Sequence, residues 1–180
     1  MTRKVIAFCG FEQSGKDYSA QRLMMTKGFK KAAFANALRK IAFGVIGIPF
    51  EEGMKNYEEL KQTDLINGLT FRNILENLGS EIRKYDKDFW ARTVLTYINS
   101  CPDNICISDL RYPNEYWVLK EYCKKNKIDF KLVFCDYKSA KYRDDNPHES
   151  ARFAAYLKGL GYTDQEYVDE ADIVAYDGGR

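Results

Sequence analysis

The chain has 180 residues, of which 45% are hydrophobic and 30% are charged, and its formal net charge is +2. This length and composition fit one soluble globular domain over residues 1–180 and exclude a disordered or fibrous protein. Because a charge so close to zero gives no broad positive field for a long polyanion, no stable complex with nucleic acid is expected. Any phosphate binding is therefore expected to be local.

The cysteines and the apolar segments indicate the compartment. The five cysteines are scattered, lie mostly in apolar runs and lack CxxC spacing, which favours reduced, buried thiols over disulfides or a metal site. No stretch approaches the roughly 18 apolar residues of a membrane span, and the first apolar run is too short for a secretion signal. We expect a cytoplasmic protein without a membrane partner, and a homodimer is left open.

Short apolar runs alternate with helical patterns along the chain. The runs at 5–9, 32–35, 105–108, 130–135 and 173–176 are typical of buried strands. Helical periodicity is predicted for 16–27, 38–45 and 116–125, and throughout 51–100, which we interpret as a helical insertion. Repeated strand–helix units predict an α/β fold with about five parallel strands and helices on both faces of the sheet.

A glycine-rich loop lies between the first strand and the first helix. Its sequence, Gly10-Phe11-Glu12-Gln13-Ser14-Gly15-Lys16, fits the GxxxxGK phosphate-binding loop. In such a loop the backbone N–H groups and the helix N-terminus bind phosphate, and the lysine reaches the β and γ phosphates. The alternative, a simple glycine-containing turn, is disfavoured by the position between strand and helix. The expected ATP-binding residues are Gly10, Gln13, Ser14, Gly15, Lys16, Asp17 and Tyr18.

The eighth position of the loop is unusual. It normally carries Ser or Thr, whose hydroxyl binds magnesium, but here it is Asp17. A carboxylate beside a bound polyphosphate would be repelled unless a cation lay between them. We therefore expect Asp17 to hold magnesium directly or through a water molecule.

A second group of charged residues follows the predicted strand 105–108. Asp109 and Arg111 come just after this strand, and ligands of open parallel sheets bind at the carboxyl ends of the strands. Asp109 is a candidate magnesium ligand, and Arg111 is a candidate for binding phosphate in bidentate fashion. In the alternative interpretation the two residues pair with each other or cap the helix after Pro113.

The two motifs together resemble the phage-type deoxynucleoside monophosphate kinases, a branch of the P-loop kinases. The resemblance rests on the loop ending Ser-Gly-Lys-Asp at 14–17 and on Asp-x-Arg-Tyr-Pro-Asn-Glu at 109–115, with weaker similarity at 34–39, 70–72, 78–81 and 88–92. It implies a three-layer P-loop kinase fold whose helical insertion binds the acceptor. The implied reaction is transfer of the γ-phosphoryl group of ATP, with Mg²⁺, to a deoxynucleoside monophosphate.

The candidate site residues fall into two groups. The catalytic candidates are Lys16, Asp17, Asp109 and Arg111, with Asp17 and Asp109 at the metal. The candidates for binding the small-molecule nucleotide acceptor are Arg39, Arg72, Trp90, Arg92, Arg111, Glu115 and His148. Phosphoryl transfer between two phosphorylated molecules needs cations around both of them, and this need is the reason for choosing the arginines. Trp90 is either a stacking face for a base or a core residue.

Three features depart from the resemblance. Residues 148–151 are His-Glu-Ser-Ala where His-x-Ser-Glu is expected, residue 18 is Tyr where Thr is expected, and residue 37 is Ala where Pro is expected. Because of these departures the accepted base is not determined. The charged stretch within 137–150 is interpreted as a lid over ATP, which excludes water when closed.

Three other functions remain open at this stage. The first is a P-loop kinase that acts on a modified base in phage DNA. The second is a kinase for another phosphorylated small molecule such as phosphomevalonate. The third is a non-catalytic ATP-binding switch, although such a switch would not need the acceptor-side arginines.

Overall fold

The structure is a computed structural model that describes residues 2–66, 68–137 and 149–176. The contacts divide the chain into two units. We call residues 1–33 together with 95–180 the sheet unit, and residues 34–94 the helical unit. The boundaries of the helical insertion and of the whole domain stay predictions.

Strands and helices follow one another along the described ranges. None of the helices in these ranges is long and apolar enough to cross a bilayer. In chain order the elements are β1 (Lys4–Gly10), α1 (Lys16–Lys27), β2 (Lys30–Ala32), α2 (Ala35–Val45), α3 (Phe50–Lys55), α4 (Tyr57–Leu60), β3 (Asp64–Ile66), β4 (Leu69–Thr70), α5 (Phe71–Tyr85), α6 (Phe89–Ser100), β5 (Ile105–Ile107), α7 (Pro113–Lys125), β6 (Asp129–Cys135), α8 (Glu149–Gly159), β7 (Glu166–Tyr167) and α9 (Glu170–Tyr176). The helix α6 passes from the helical unit into the sheet unit.

The sheet unit is built on one five-stranded sheet with the strand order β2-β5-β1-β6-β7. The strands β2, β5, β1 and β6 are parallel, and β7 pairs antiparallel with β6. The register places Ala7 of β1 beside Ile107 of β5, and Ile107 beside Ala32 of β2. The carboxyl ends of these strands therefore meet at one edge. This sheet confirms the predicted α/β class, except that its last strand is antiparallel.

Helices cover both faces of the sheet. Phe8 of β1 and Val133 of β6 pack in one cluster with Ala20 of α1. Phe130 has the opposite parity on β6 and contacts the Tyr116 ring of α7, with 5.4 Å between ring centroids. Because successive side chains of a strand point to opposite faces, α1 and α7 lie on opposite sides of the sheet.

The predicted strand at 173–176 is wrong, because these residues end the helix α9. Ile173 is fully buried, and three residues later the Tyr176 ring packs on Phe153 and Tyr156 of α8. A spacing of three belongs to a helix, and a four-residue apolar run cannot by itself distinguish a strand from a helix. The fifth strand is β7 instead. The predicted strand 32–35 is shifted, because β2 covers Lys30–Ala32 and Ala35 already begins α2.

The helical unit has its own small core. Ala42, Phe43 and Phe71 are buried together, and the Phe43 and Phe71 rings stack with centroids 4.5 Å apart. The expectation of helix throughout 51–100 is wrong at β3 and β4, which form an antiparallel pair. The Asp64 carboxylate accepts the backbone N–H of Gly68, whose φ of 82° suits glycine, and this turn chemistry interrupts the helical pattern.

The cysteines confirm the expectation of free thiols. Cys9, Cys106, Cys123 and Cys135 are buried, and Cys101 is partly exposed. Burial raises the pKa of the Cys123 thiol to about 12 and that of Cys135 to about 11. It also raises the pKa of Cys9 and of Cys106. Because the thiolate is the reactive form, the four buried side chains are protected by both access and protonation.

We predict that one thiol of the five reacts rapidly with a disulfide reagent in the native protein at pH 8, and that all five react after denaturation. The rapid thiol should be Cys101, so Cys101→Ser should abolish the fast phase. The measurement is the stoichiometry of the released chromophore over time. A fast phase that survives in Cys101→Ser would show that the sheet unit opens at a buried cysteine.

Candidate functional site

The glycine loop between β1 and α1 packs closely on the end of β6. A Cβ atom at Gly10, whose φ is 140°, would lie 2.2 Å from the Cys135 carbonyl oxygen, so no side chain fits there. The Tyr137 N–H donates to the Ser14 carbonyl oxygen at 3.2 Å. Gln13 and Gly15 have φ values of 61° and 88°, which turn the backbone into α1. Positive φ values in a glycine loop are typical of a concave array of N–H groups.

The N-terminus of α1 is not capped by a side chain. Gly15 is the N-cap residue and has no side chain that could accept a hydrogen bond. The first backbone bond of the helix runs from the Ser19 N–H to the Gly15 carbonyl oxygen at 2.9 Å. The amides of the turn before it are the orphan donors of a helix start, and they lie at its positive end. The loop can therefore bind an anionic oxygen there.

The Lys16 ammonium lies inside the glycine loop. It donates to the Gly10 carbonyl oxygen at 2.9 Å, to the Phe11 carbonyl oxygen and to Ser14 Oγ at 3.3 Å. Burial lowers the pKa of Lys16, and the positive charge of Arg111 lowers it further. A phosphate oxygen in the loop would offer this ammonium a negative partner in exchange for neutral carbonyl oxygens.

The Asp17 carboxylate is held through one oxygen. Its Oδ1 accepts from Lys31 Nζ at 2.6 Å and from Ser108 Oγ at 2.7 Å. Partial burial alone would raise the pKa of Asp17, but these two hydrogen bonds and the charges of Lys31 and Lys16 outweigh it, so the pKa lies below its ordinary value. The side chain is 79% exposed, and within the described ranges Oδ2 accepts no hydrogen bond.

The second predicted group of charges lies beside the loop. The Leu110 N–H donates to the Phe8 carbonyl oxygen at 3.2 Å, which ties the segment after β5 to the end of β1. Arg111 is exposed, and its charge acts on Lys16. Glu115 is 4% exposed, and its Oε2 accepts the backbone N–H of Arg111 at 2.7 Å. Glu115 therefore closes the capping box at the start of α7 and fixes the Arg111 backbone, while direct contact of Glu115 with a substrate stays a prediction.

The residues present fit a magnesium ion that is shared with a nucleotide. Asp17 Oδ2 is accessible. Asp109 directly follows Ser108, whose hydroxyl donates to the Asp17 carboxylate. Residues 2–66, 68–137 and 149–176 contain no cluster of three or more side chains able to hold a metal. Magnesium in nucleotide sites needs only one or two carboxylates, since phosphates and waters complete its shell. The metal roles of Asp17 and Asp109 stay predictions.

A groove of about 1040 Å³ runs beside the loop in the sheet unit. Its lining includes Gly15, Tyr18, Tyr137 and Gln165. Gln165 has a φ of 63°, and its Nε2 donates to Ser19 Oγ of α1 at 2.7 Å. Tyr18 is 70% exposed along this wall. The groove is therefore continuous with the loop and has polar and aromatic walls.

Two residues of the site were not predicted from the sequence. Ser108 and Lys31 both reach Asp17, which lies 91 and 14 residues from them along the chain. Ser108 is adjacent to a predicted ligand, and this adjacency was a usable signal. Lys31 had no signal, because only the pairing of β2 with β5 brings it to this edge.

Two predicted arginines of the acceptor site lie in the helical unit. Arg39 stacks over the Tyr57 ring at 4.8 Å and donates to Asn36 Oδ1 at 3.2 Å. Arg72 forms an ion pair with Glu76 at 2.9 Å. Both guanidinium groups thus have protein partners in this structure, and their contact with an acceptor stays a prediction.

The other two candidates of the helical unit have different environments. Trp90 is 2% exposed, and its indole N–H donates to the Gly79 carbonyl oxygen at 3.1 Å, so it is a core side chain in this structure. Arg92 contacts Asp86 and lies 3.9 Å from Asp88. Binding of an acceptor by Trp90 or Arg92 stays a prediction.

The remaining candidate, His148, lies outside the described residues, as does most of the predicted lid at 137–150. The helix α8 begins at Glu149. Tyr137, the first residue of the predicted lid, contacts the loop through its backbone. The lid itself stays a prediction.

Comparison with known proteins shows only remote similarity. No protein-family model matches the chain, and no curated protein matches it in sequence. Two solved structures of the APS kinase CysC from Mycobacterium tuberculosis align with it. One, a mutant form, is 16% identical with a TM-score of 0.38 and covers 90% of this chain and 100% of that chain. The other, in complex with AMPPNP and APS, is 17% identical with a TM-score of 0.40 and covers 93% and 83%.

We predict that Gly15→Ala weakens binding of a nucleoside triphosphate by about tenfold or more, equivalent to 1.4 kcal/mol. Gly15 has a φ of 88°, so alanine would favour a different backbone and would turn the loop amides away from phosphate. The measurement is calorimetric titration with a non-hydrolysable ATP analogue.

The matched control for this variant is Gly28→Ala at the other end of α1. Gly28 also has a positive φ, 68°, and a Cβ there meets nothing within 4 Å. Both variants should lose about 1 kcal/mol of unfolding free energy from the left-handed backbone. Only Gly15→Ala should lose affinity, and equal affinities in the two variants would contradict the loop assignment.

We predict that affinity for the ATP analogue falls at alkaline pH with a midpoint below the ordinary pKa of lysine. The pKa of Lys16 is lowered, so its ammonium loses its proton, and with it the attraction for phosphate, earlier than an exposed lysine would. Lys16→Arg should show a flat profile from pH 7.5 to 10, since arginine stays charged. Arg111→Gln should move the midpoint upward, and an unmoved midpoint would show that the two charges are not coupled.

Proposed function

We propose that this protein is an ATP-dependent phosphotransferase whose acceptor is a deoxynucleoside monophosphate. One observation carries the proposal. An uncapped helix N-terminus, the Lys16 ammonium, the Arg111 charge and a carboxylate with one accessible oxygen all lie at the same edge of a mostly parallel sheet. Phosphoryl transfer requires this combination of anion-binding amides, cations and a metal-binding carboxylate.

The donor ATP would lie along the loop and the neighbouring groove. The amides at the start of α1 bind the β phosphate, and Lys16 leaves the loop carbonyl oxygens to bind the β and γ phosphates. The groove beside Gly15 and Tyr18 receives the nucleoside, and its aromatic walls supply stacking surface. These assignments follow from the continuity of loop and groove.

The transfer step depends on positioning and charge. Asp17 and Asp109 would hold Mg²⁺, which would supply positive charge that offsets the negative charge on the transferring group. Arg111 approaches the same region as Lys16, and its planar guanidinium binds the transferring group or the acceptor phosphate in bidentate fashion. Glu115 holds the Arg111 backbone, so the Arg111 side chain starts from a fixed Cα position. No residue needs to act as a general base, because the second pKa of a phosphate monoester is about 6.

The acceptor assignment is supported chiefly by the sequence resemblance. Arg39, Arg72 and Arg92 are exposed or half-buried cations of the helical unit, and we propose that they bind the 5′-phosphate and base of the acceptor together with His148. Their present partners Asn36, Glu76 and Asp86 would be exchanged for acceptor phosphate. A cytoplasmic location and a homodimer are proposed at the same level.

The function is tested by measuring ADP formation from ATP and Mg²⁺ with a panel of acceptors. The panel contains the deoxynucleoside monophosphates, their ribonucleotide counterparts, phosphomevalonate and duplex DNA with modified bases. We expect a deoxynucleoside monophosphate to raise ADP formation at least tenfold above the rate without acceptor, and the product to be the diphosphate.

Two variants and three outcomes make this experiment decisive. Lys16→Met should abolish transfer, while Lys30→Met, on the neighbouring strand and exposed, should retain it. Turnover only with phosphomevalonate or only with modified DNA would replace the acceptor in the proposal. Tight ATP binding without turnover on any acceptor would indicate a switch and overturn the kinase assignment.

A further inference from the structure

Ser108 and Asp17 form a hydrogen bond in which the residue types at the two positions are the reverse of the usual ones. In the common phosphate loop the eighth residue supplies a hydroxyl, and an acidic residue at the end of a neighbouring strand supplies the carboxylate beside it. In this chain the eighth residue is the acid Asp17, and the residue that meets it from the end of β5 is the hydroxyl residue Ser108, at 2.7 Å. The hydroxyl and the carboxylate have exchanged positions.

We propose that Ser108 is the positioning residue of the magnesium–nucleotide site, and that it acts by holding Asp17 Oδ1 so that Oδ2 faces the bound phosphates. This inference rests on the proposed function only as far as that function requires binding of a magnesium nucleotide.

The register of the sheet explains why Ser108 can do this. Cys106 packs in the cluster under α1, and Ser108, two residues later, has the same parity and rises on the same side of the sheet. Its side chain is 4% exposed and lies between the ends of the strands and the first turn of α1. A hydroxyl so placed has little freedom, and it donates to Asp17 without bringing a charge.

Lys31 contacts the same oxygen of Asp17, but through a solvent-exposed ion pair instead of a buried hydroxyl. It pairs laterally with Cys106, and its ammonium reaches Asp17 Oδ1 at 2.6 Å along the same face. The lysine side chain is 38% exposed and that of the aspartate 79%, so the ion pair is solvated and weakly constrained. Its positive charge also competes with a divalent cation for the carboxylate. Ser108 is therefore the fixed contact and Lys31 the exchangeable one.

The test measures nucleotide binding rather than turnover. Affinity for a non-hydrolysable ATP analogue is determined by titration calorimetry with excess Mg²⁺ and again with EDTA, and the ratio of the two affinities is the magnesium gain. In Ser108→Ala the gain should fall about tenfold, while affinity in EDTA stays within about twofold. Ser108→Thr, which keeps the hydroxyl, should restore most of the gain.

A double-mutant cycle separates positioning from a general structural effect. If Ser108 acts through Asp17, then Ser108→Ala should change the magnesium gain by less than about twofold in an Asp17→Asn background. Equal losses in both backgrounds would overturn the proposal. Thermal denaturation of each variant without nucleotide shows whether the fold is retained, and Ser108→Thr provides the second variant if the alanine form is unstable.

Lys31→Met is the discriminating control, with Lys30→Met as its matched neighbour on the opposite face of β2. Removing Lys31 takes away a competing cation, so the magnesium gain should hold or rise, and Lys30→Met should leave it unchanged. A fall of the magnesium gain in Lys31→Met equal to that in Ser108→Ala would overturn the special role of Ser108.

Wild-type protein whose binding shows no magnesium gain would refute this inference and the magnesium part of the proposed function together. A normal magnesium gain without phosphoryl transfer would contradict only the kinase assignment.

Discussion

The close approach of Gly10 to the end of β6 is the constraint on which the site depends. With a Cβ position only 2.2 Å from the Cys135 carbonyl oxygen, residue 10 must be glycine if the loop is to lie on the sheet. That contact sets where α1 begins, and the start of α1 sets the positions of Lys16 and Asp17. Two hydrogen bonds from neighbouring segments, Tyr137 N–H to Ser14 and Leu110 N–H to Phe8, then bind the surrounding chain to the same edge. The site is thus a consequence of backbone packing before any side-chain chemistry enters.

The charged groups at this edge differ in how strongly they favour an anion. Lys16 is partly buried among carbonyl oxygens, and the positive charge of Arg111 repels its ammonium, so the loop favours binding of an anion. The exposed pair of Lys31 and Asp17 contributes little, since such pairs yield roughly 0–1 kcal/mol. The positive charges of the loop have a larger effect than this ion pair, because a bound anion would offset them.

Much of the sheet unit could be predicted because its signals are local. The run Val5–Cys9 and the glycine after it, the helix ended by Gly28 and the segment at 109–115 each carry their own pattern, and β1, α1 and α7 follow them. The strand predicted at 173–176 was wrong because Ile173 is buried in a helix and the Tyr176 ring packs on α8, which no local pattern records. The hairpin of β3 and β4 was missed inside a helical pattern, although Gly68 is an ordinary turn signal.

Within the site, the residues of the loop were predictable and their partners were not. Lys16 and Asp17 belong to a motif that can be recognised from one sequence, whereas Lys31 reaches Asp17 only through the lateral pairing of β2 with β5. Glu115 illustrates a different limit, because a motif can identify a residue without distinguishing a capping carboxylate from a binding one. The candidates in the helical unit show the same limit, since Trp90 carries the residue type of a stacking face in the environment of a core residue.

An acid at the eighth position changes how tightly nucleotide binding depends on metal. Without nucleotide, Asp17 lies in the first turn of α1, where a carboxylate is favoured by about 0.3–1 kcal/mol through the helix dipole. With a polyphosphate in the loop, the same carboxylate faces like charge, and only a cation between them removes the repulsion. A Ser or Thr hydroxyl carries no such charge and tolerates the metal-free nucleotide. If the proposed function holds, the loop therefore disfavours metal-free nucleotide through the charge of Asp17, and Ser108 holds that carboxylate without adding a charge of its own.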